Sequence, residues 1–134
     1  MHVPDLNYLA ILVAAIVPLF VGALWYGPLF GKRWLALMET TEEEIAKGFN
    51  PLKTYGGSFL LAIASAFGLA VLLDGFSGPL HGLHAALVAT IAFVIPVTHQ
   101  SVAFEKRKSG LAVLNVAYNF TALLGQAILL SIWK

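Results

Sequence analysis

Four apolar runs, residues 6–26, 55–73, 83–103 and 111–132, each pass without an Asp, Glu, Lys or Arg. Each is close to the ~20 residues that carry a helix across ~30 Å of hydrocarbon. Backbone groups in lipid find no water, so such a run satisfies its own hydrogen bonds as a helix and not as a strand. Composition agrees: 59% of residues are hydrophobic and 11% charged, where a soluble domain has about 45–50% and about 25%. So few charges would not cover a soluble surface. A chain of 134 residues is one domain, 1–134. The expectation is an all-α membrane protein, a four-transmembrane-helix bundle built as two parallel hairpins.

The ends of the runs carry physical markers. No Lys or Arg precedes the first run and no small-x-small cleavage site closes it, so it reads as a permanent helix and not a signal peptide. Pro4-Asp5 is expected to start it, with Asp5 as N-cap, and Gly27-Pro28 to break it. Residues 29–38 place Phe30, Trp34 and Leu37 at helical spacing beside Lys32 and Arg33, the pattern of a short interfacial helix in the first cytoplasmic loop. Thr41-Glu42-Glu43-Glu44 is a capping-box pattern for a turn or two ending at Gly48. Asn50 as N-cap with Pro51 at the first helical position opens the second span.

Counting Lys and Arg sets the orientation. Lys32, Arg33, Lys47 and Lys53 lie in the first loop and Lys106, Arg107 and Lys108 in the third, against Lys134 alone on the other side. That bias places loops 27–54 and 104–110 in the cytoplasm and both termini outside, in a membrane read as the bacterial cytoplasmic one. Trp25, Tyr26, Trp34 and Trp133 fall at the interfaces and read as aromatic anchors. Net charge is only +1, which gives no argument for nucleic acid as a partner. The lipid bilayer is the partner implied.

Small residues recur every four positions at Ser58, Ala62, Ala66 and Ala70, with Ala64 and Gly68 as a second pair, and at Ala14, Pro18 and Gly22. Small faces let helix backbones approach closely in lipid. They are expected to make spans one and two the tightest pair, and to hold a homo-oligomer, a dimer or trimer.

The polar residues within the runs are few. Asn115, Asn119 and Gln126 share one face of the last span, flanked by Tyr118. Amides in lipid are costly without partners, so this face turns inwards. It either lines a path for water or a small solute, or supplies interhelical hydrogen bonds; the lack of a carboxylate favours the bonds. His99, beside Thr98 and Gln100 and three residues past the helix-kinking Pro96, is a further candidate for the lining. His81 and His84, with Asp74 across the hairpin, are three possible metal ligands whose geometry the sequence does not fix, and no metal or cofactor is assigned.

What is missing narrows the chemistry. No acid lies within a span, which argues against proton-coupled export. The chain has no cysteine and shows neither a nucleophile triad nor a Gly-rich phosphate loop, so it is not expected to be an enzyme. Glu105 is the single carboxylate beside a basic run and is expected to neutralise it.

Two stretches, Trp25-Tyr26-Gly27-Pro28-Leu29-Phe30-Gly31-Lys32-Arg33-Trp34 and Phe104-Glu105-Lys106-Arg107 followed by Asn115-Val116-Ala117-Tyr118-Asn119, stand at the ends of the first and last runs. At this spacing they resemble the bacterial membrane family called domain of unknown function 1761. The resemblance covers nearly the whole chain and implies a compact four-helix membrane protein, with no activity to carry over. Three function classes follow from the residues. An oligomeric small-solute transporter or channel is favoured. A non-catalytic accessory or scaffold subunit of a larger membrane complex is the alternative, and a membrane enzyme comes last.

Overall fold

The computed structural model describes residues 6–133, and every element among them is helical. The order is α1 (Tyr8–Ala14), α2 (Ile16–Leu24), α3 (Gly31–Met38), α4 (Glu42–Ala46), α5 (Pro51–Leu72), α6 (Pro79–Ala89), α7 (Ile95–Phe104) and α8 (Ser109–Ile132). Single π-type turns, Trp25–Leu29 and Thr90–Val94, follow α2 and join α6 to α7. Four helical stretches, Tyr8–Leu29, Pro51–Leu72, Pro79–Phe104 and Ser109–Ile132, are long and apolar enough to cross a membrane. They extend the four runs by a few residues at most ends.

Most expected boundaries have their local cause. Asn50 Oδ1 accepts from the Lys53 N–H at 3.2 Å, ahead of Pro51. Thr41 Oγ1 accepts from the Glu44 N–H at 3.2 Å, and the turn it caps stops before Gly48, whose φ is +74°. Gly27 leaves helical backbone (φ −107°, ψ −106°) where Pro28 has no N–H to continue the ladder. Gly31 restarts it: a Cβ there would stand 2.8 Å from the Tyr26 carbonyl oxygen. The start of the first helix differs from expectation. Asp5 lies outside the described residues, and Asn7 is the cap, its Oδ1 accepting from the Ala10 N–H at 3.1 Å. The third helix relieves Pro96 upstream, where the Ile95 N–H reaches back five residues to the Thr90 carbonyl in a π turn.

The helices do not pack as an even square. The fourth, α8, lies against all three others, while the second and third scarcely touch each other. The expectation that the first two helices pair most tightly is corrected, because the third and fourth make the most extensive contact. Gly78, Gly82 and Ala86, one turn apart, form the small face responsible. A Cβ on Gly82 would stand 2.8 Å from the Ala127 carbonyl oxygen, and the Gly78 N–H donates to the Ser131 carbonyl at 2.9 Å. Such backbone contact is open only to residues without bulk.

Ala62, Ala66 and Ala70 are buried as their spacing predicted, but inside this chain; Ser58, Ala64 and Gly68 are exposed. Ala66 and Ala70 join Ala10, Ile11, Ala14, Leu69, Leu73, Ala86, Ala127 and Leu130 in a dense core filling the half of the molecule away from the first and third loops. Towards those loops α5 leans away, and among residues 51–61 only Phe59 is partly covered.

Candidate functional site, a polar cleft between three helices

Where α5 leans away, a cleft of about 690 Å³ opens between the first, second and fourth helices. It runs from Gly27 and Thr54 by the first loop to Pro18, Ala62 and Gln126, at or beyond the midpoint of each helix. Its polar lining includes Thr54, Ser58, Ser65, Tyr26, Tyr118 and Asn119, and none of its lining residues is charged.

The inner end is closed by Gln126, which is fully buried. Its Nε2 donates to the Ala14 carbonyl at 3.1 Å and to the Ala62 carbonyl at 3.2 Å. Ala14 is the residue four before Pro18, and a proline offers no N–H to the carbonyl four residues back. That is also why α1 and α2 are separate helices. One side chain of the fourth helix thus satisfies the gap in the first and ties in the second. Its Oε1 is buried with no hydrogen-bond partner.

The wall nearer the loops is aromatic. The Tyr26 hydroxyl donates to Asn115 Oδ1 at 2.7 Å, and the Tyr118 hydroxyl donates to the Pro18 carbonyl at 3.0 Å. Each tyrosine is held by the opposite helix, and their rings stand 5.2 Å apart. Trp25 Nε1 donates to the Leu114 carbonyl at 3.3 Å. Asn119 Nδ2 donates to the Asn115 carbonyl of its own helix at 2.9 Å. Tyr26, Tyr118 and Asn119 also border a second groove, of about 630 Å³, between α3, α7 and the start of α8. The tyrosine pair is therefore a partition between two cavities.

The structure brings together Asn115, Tyr118, Asn119 and Gln126 on the inner face of α8, but not His99. His99 is exposed and borders neither cavity, while its neighbours Thr98 and Ser101 line the second. Trp25 and Tyr26 are half-buried, with their polar atoms turned to α8. Trp34 stacks edge-on to Tyr26 at 5.4 Å, and Trp133 is partly exposed at the opposite end. His81 and His84 are exposed, and among the described residues no three His, Asp or Glu side chains gather as a ligand set. The wall supplied by α5 was missed in the sequence. Thr54, Ser58 and Ser65, four and seven residues apart, share a helix face, a polar signal hidden within a run noted only for its small residues.

These features define an all-helical protein of four candidate membrane helices arranged about the last, with an uncharged cleft between the first, second and fourth. The chain belongs to the family described as Protein of unknown function (DUF1761), which it matches over residues 9–131. No curated protein and no solved structure matches it. The two stretches that carried the resemblance meet in space, through the Tyr26–Asn115 bond and the Tyr26–Tyr118 ring contact.

Proposed function

We propose that this protein spans the bacterial cytoplasmic membrane four times, binds a small uncharged polar solute in the cleft, and passes it across the bilayer. The observation that carries the reading is the cleft itself: hydroxyls and amides without a charge, running from the first loop to Gln126, with a packed core beyond it. Polar surface in a lipid-spanning helix is costly unless it meets water or a ligand. A cleft that stops at a packed core is the form a carrier takes in one of its two states.

The seven basic residues of the first and third loops support a cytoplasmic mouth and outward termini. Lys108 Nζ meets Glu39 Oε1 at 3.4 Å, linking those two loops on one side. On this reading α3 lies along the membrane surface, with Leu37 over Gly110 and the exposed Lys32 and Arg33 towards water. The lining offers no carboxylate, imidazole or thiol for acid-base or nucleophilic work, which supports passage over catalysis. We place the protein in a homo-oligomer, joined through the exposed small pair Ala64 and Gly68 now that the Ala62 face is used internally.

A second reading, an accessory subunit of a larger membrane complex, draws on the Asn115 and Gln126 amides, both engaged in helix–helix bonds. Flux of glycerol and urea into proteoliposomes separates the two. Wild type is expected to exceed empty vesicles, and Ser58→Phe, which fills the exposed wall of the cleft, to abolish the excess without lowering the melting temperature in detergent. Wild-type vesicles no leakier than empty ones would overturn passage and leave the subunit reading.

A further inference from the structure

The second groove differs from the cleft in one respect: it is charged at its rim. Glu105 and Arg107 border it, with Arg107 Nε 3.1 Å from Glu105 Oε2. The guanidinium is also held against the groove wall, its Nη1 lying 3.2 Å from Met38 Sδ. Below the rim the sides are mostly apolar, from Val97, Val102 and Leu111 with Thr98 and Ser101 among them, and the floor is the Asn115, Tyr118 and Asn119 surface behind the tyrosine partition.

We infer that this groove seats the headgroup of a zwitterionic phospholipid with a primary ammonium, of the phosphatidylethanolamine class. The inference rests on the membrane-spanning reading and not on solute passage. The rim presents one cation and one anion side by side, the complement of a phosphate joined by a short link to an ammonium. Arg matches a phosphate with two parallel N–H donors, and a carboxylate accepts from an ammonium. Both rim side chains are substantially exposed, 40% for Arg107 and 60% for Glu105, so their mutual ion pair is weak and opens readily to a lipid. A quaternary ammonium has no N–H to donate to Glu105, so a choline head forfeits half of the match.

The test is lipid retention by the purified full chain from equimolar phosphatidylethanolamine, phosphatidylcholine and phosphatidylglycerol, read by native mass spectrometry. Wild type is expected to retain the ethanolamine lipid over the choline lipid by roughly tenfold, the worth of one hydrogen bond to a charged group. Arg107→Ala and Glu105→Gln should each remove that preference, while Lys53→Ala, away from the groove, should keep it. Unchanged melting temperatures would show that the variants remain folded. Equal retention of the ethanolamine and choline lipids would overturn the proposal, as would a preference that survives both rim variants. Phosphatidylglycerol retained most, and insensitive to Glu105→Gln, would mean general attraction to the basic loops and would equally overturn it. Flux in the same variants separates this outcome from the fate of the cleft: lost lipid preference with intact flux, or the reverse, assigns the failure to one site.

Discussion

Gln126 donates a hydrogen bond to the carbonyl of Ala14, on another helix, and Pro18 is the reason that carbonyl is available. The amide compensates for a defect built into the first helix and so couples two distant positions. Gln126→Leu should lose about 0.6 kcal/mol for each of its two interhelical bonds. In a Pro18→Ala background the helix can supply its own N–H to Ala14, so the loss from Gln126→Leu should shrink by about half. A double-mutant cycle in detergent, read by thermal unfolding, measures that coupling. Additive losses would show that the carbonyl is satisfied in some other way.

Gly82 sits where the third and fourth backbones meet. Gly82→Ala should destabilise by about 1–3 kcal/mol, the usual cost of overfilling a packed contact, and Gly82→Leu should separate the two helices. Gly68→Ala, at an open helical position, should raise stability slightly through better helix propensity. Melting temperatures of the three variants, compared in one detergent, check the ranking.

The loop charges predict topology. A reporter active only outside the cytoplasm should work when fused after Lys134 and fail when inserted in the Lys106 to Lys108 loop. The reverse would invert the cleft as well, turning its mouth outward.

If copies of the chain associate, the face they use is the exposed one. Ala64→Leu with Gly68→Leu should reduce the oligomer to monomer in mild detergent, whereas Ala66→Leu should damage folding first. Mass measurement on both variants and the wild type resolves surface from core. A protein monomeric throughout would remove the oligomer from the proposed mechanism.

The four helices, their capping residues and the break at Gly27-Pro28 were legible because each has a local cause: a charge-free run, a side-chain cap, a missing N–H. Which helices pair was not legible. All four carry small residues at helical spacing, and the decisive series of Gly78, Gly82 and Ala86 lies partly in what reads as a turn. The polar face of α8 was found by its period, but the partner wall on α5 was not, since three hydroxyls in a Leu- and Ala-rich helix barely change its pattern. Trp25 and Tyr26 show the converse. Their place at a span end suggests anchoring to lipid headgroups, whereas in the fold their N–H and O–H groups face α8.

The central position of α8 has a consequence for how the chain is made. Of the four helices it leaves the ribosome last, and it holds most of the contacts that the others lack among themselves. Until it arrives, the third helix exposes its Gly78–Gly82 face without a mate, and the first carries an unmet carbonyl at Ala14. The packing of the first three helices is therefore completed only by the last.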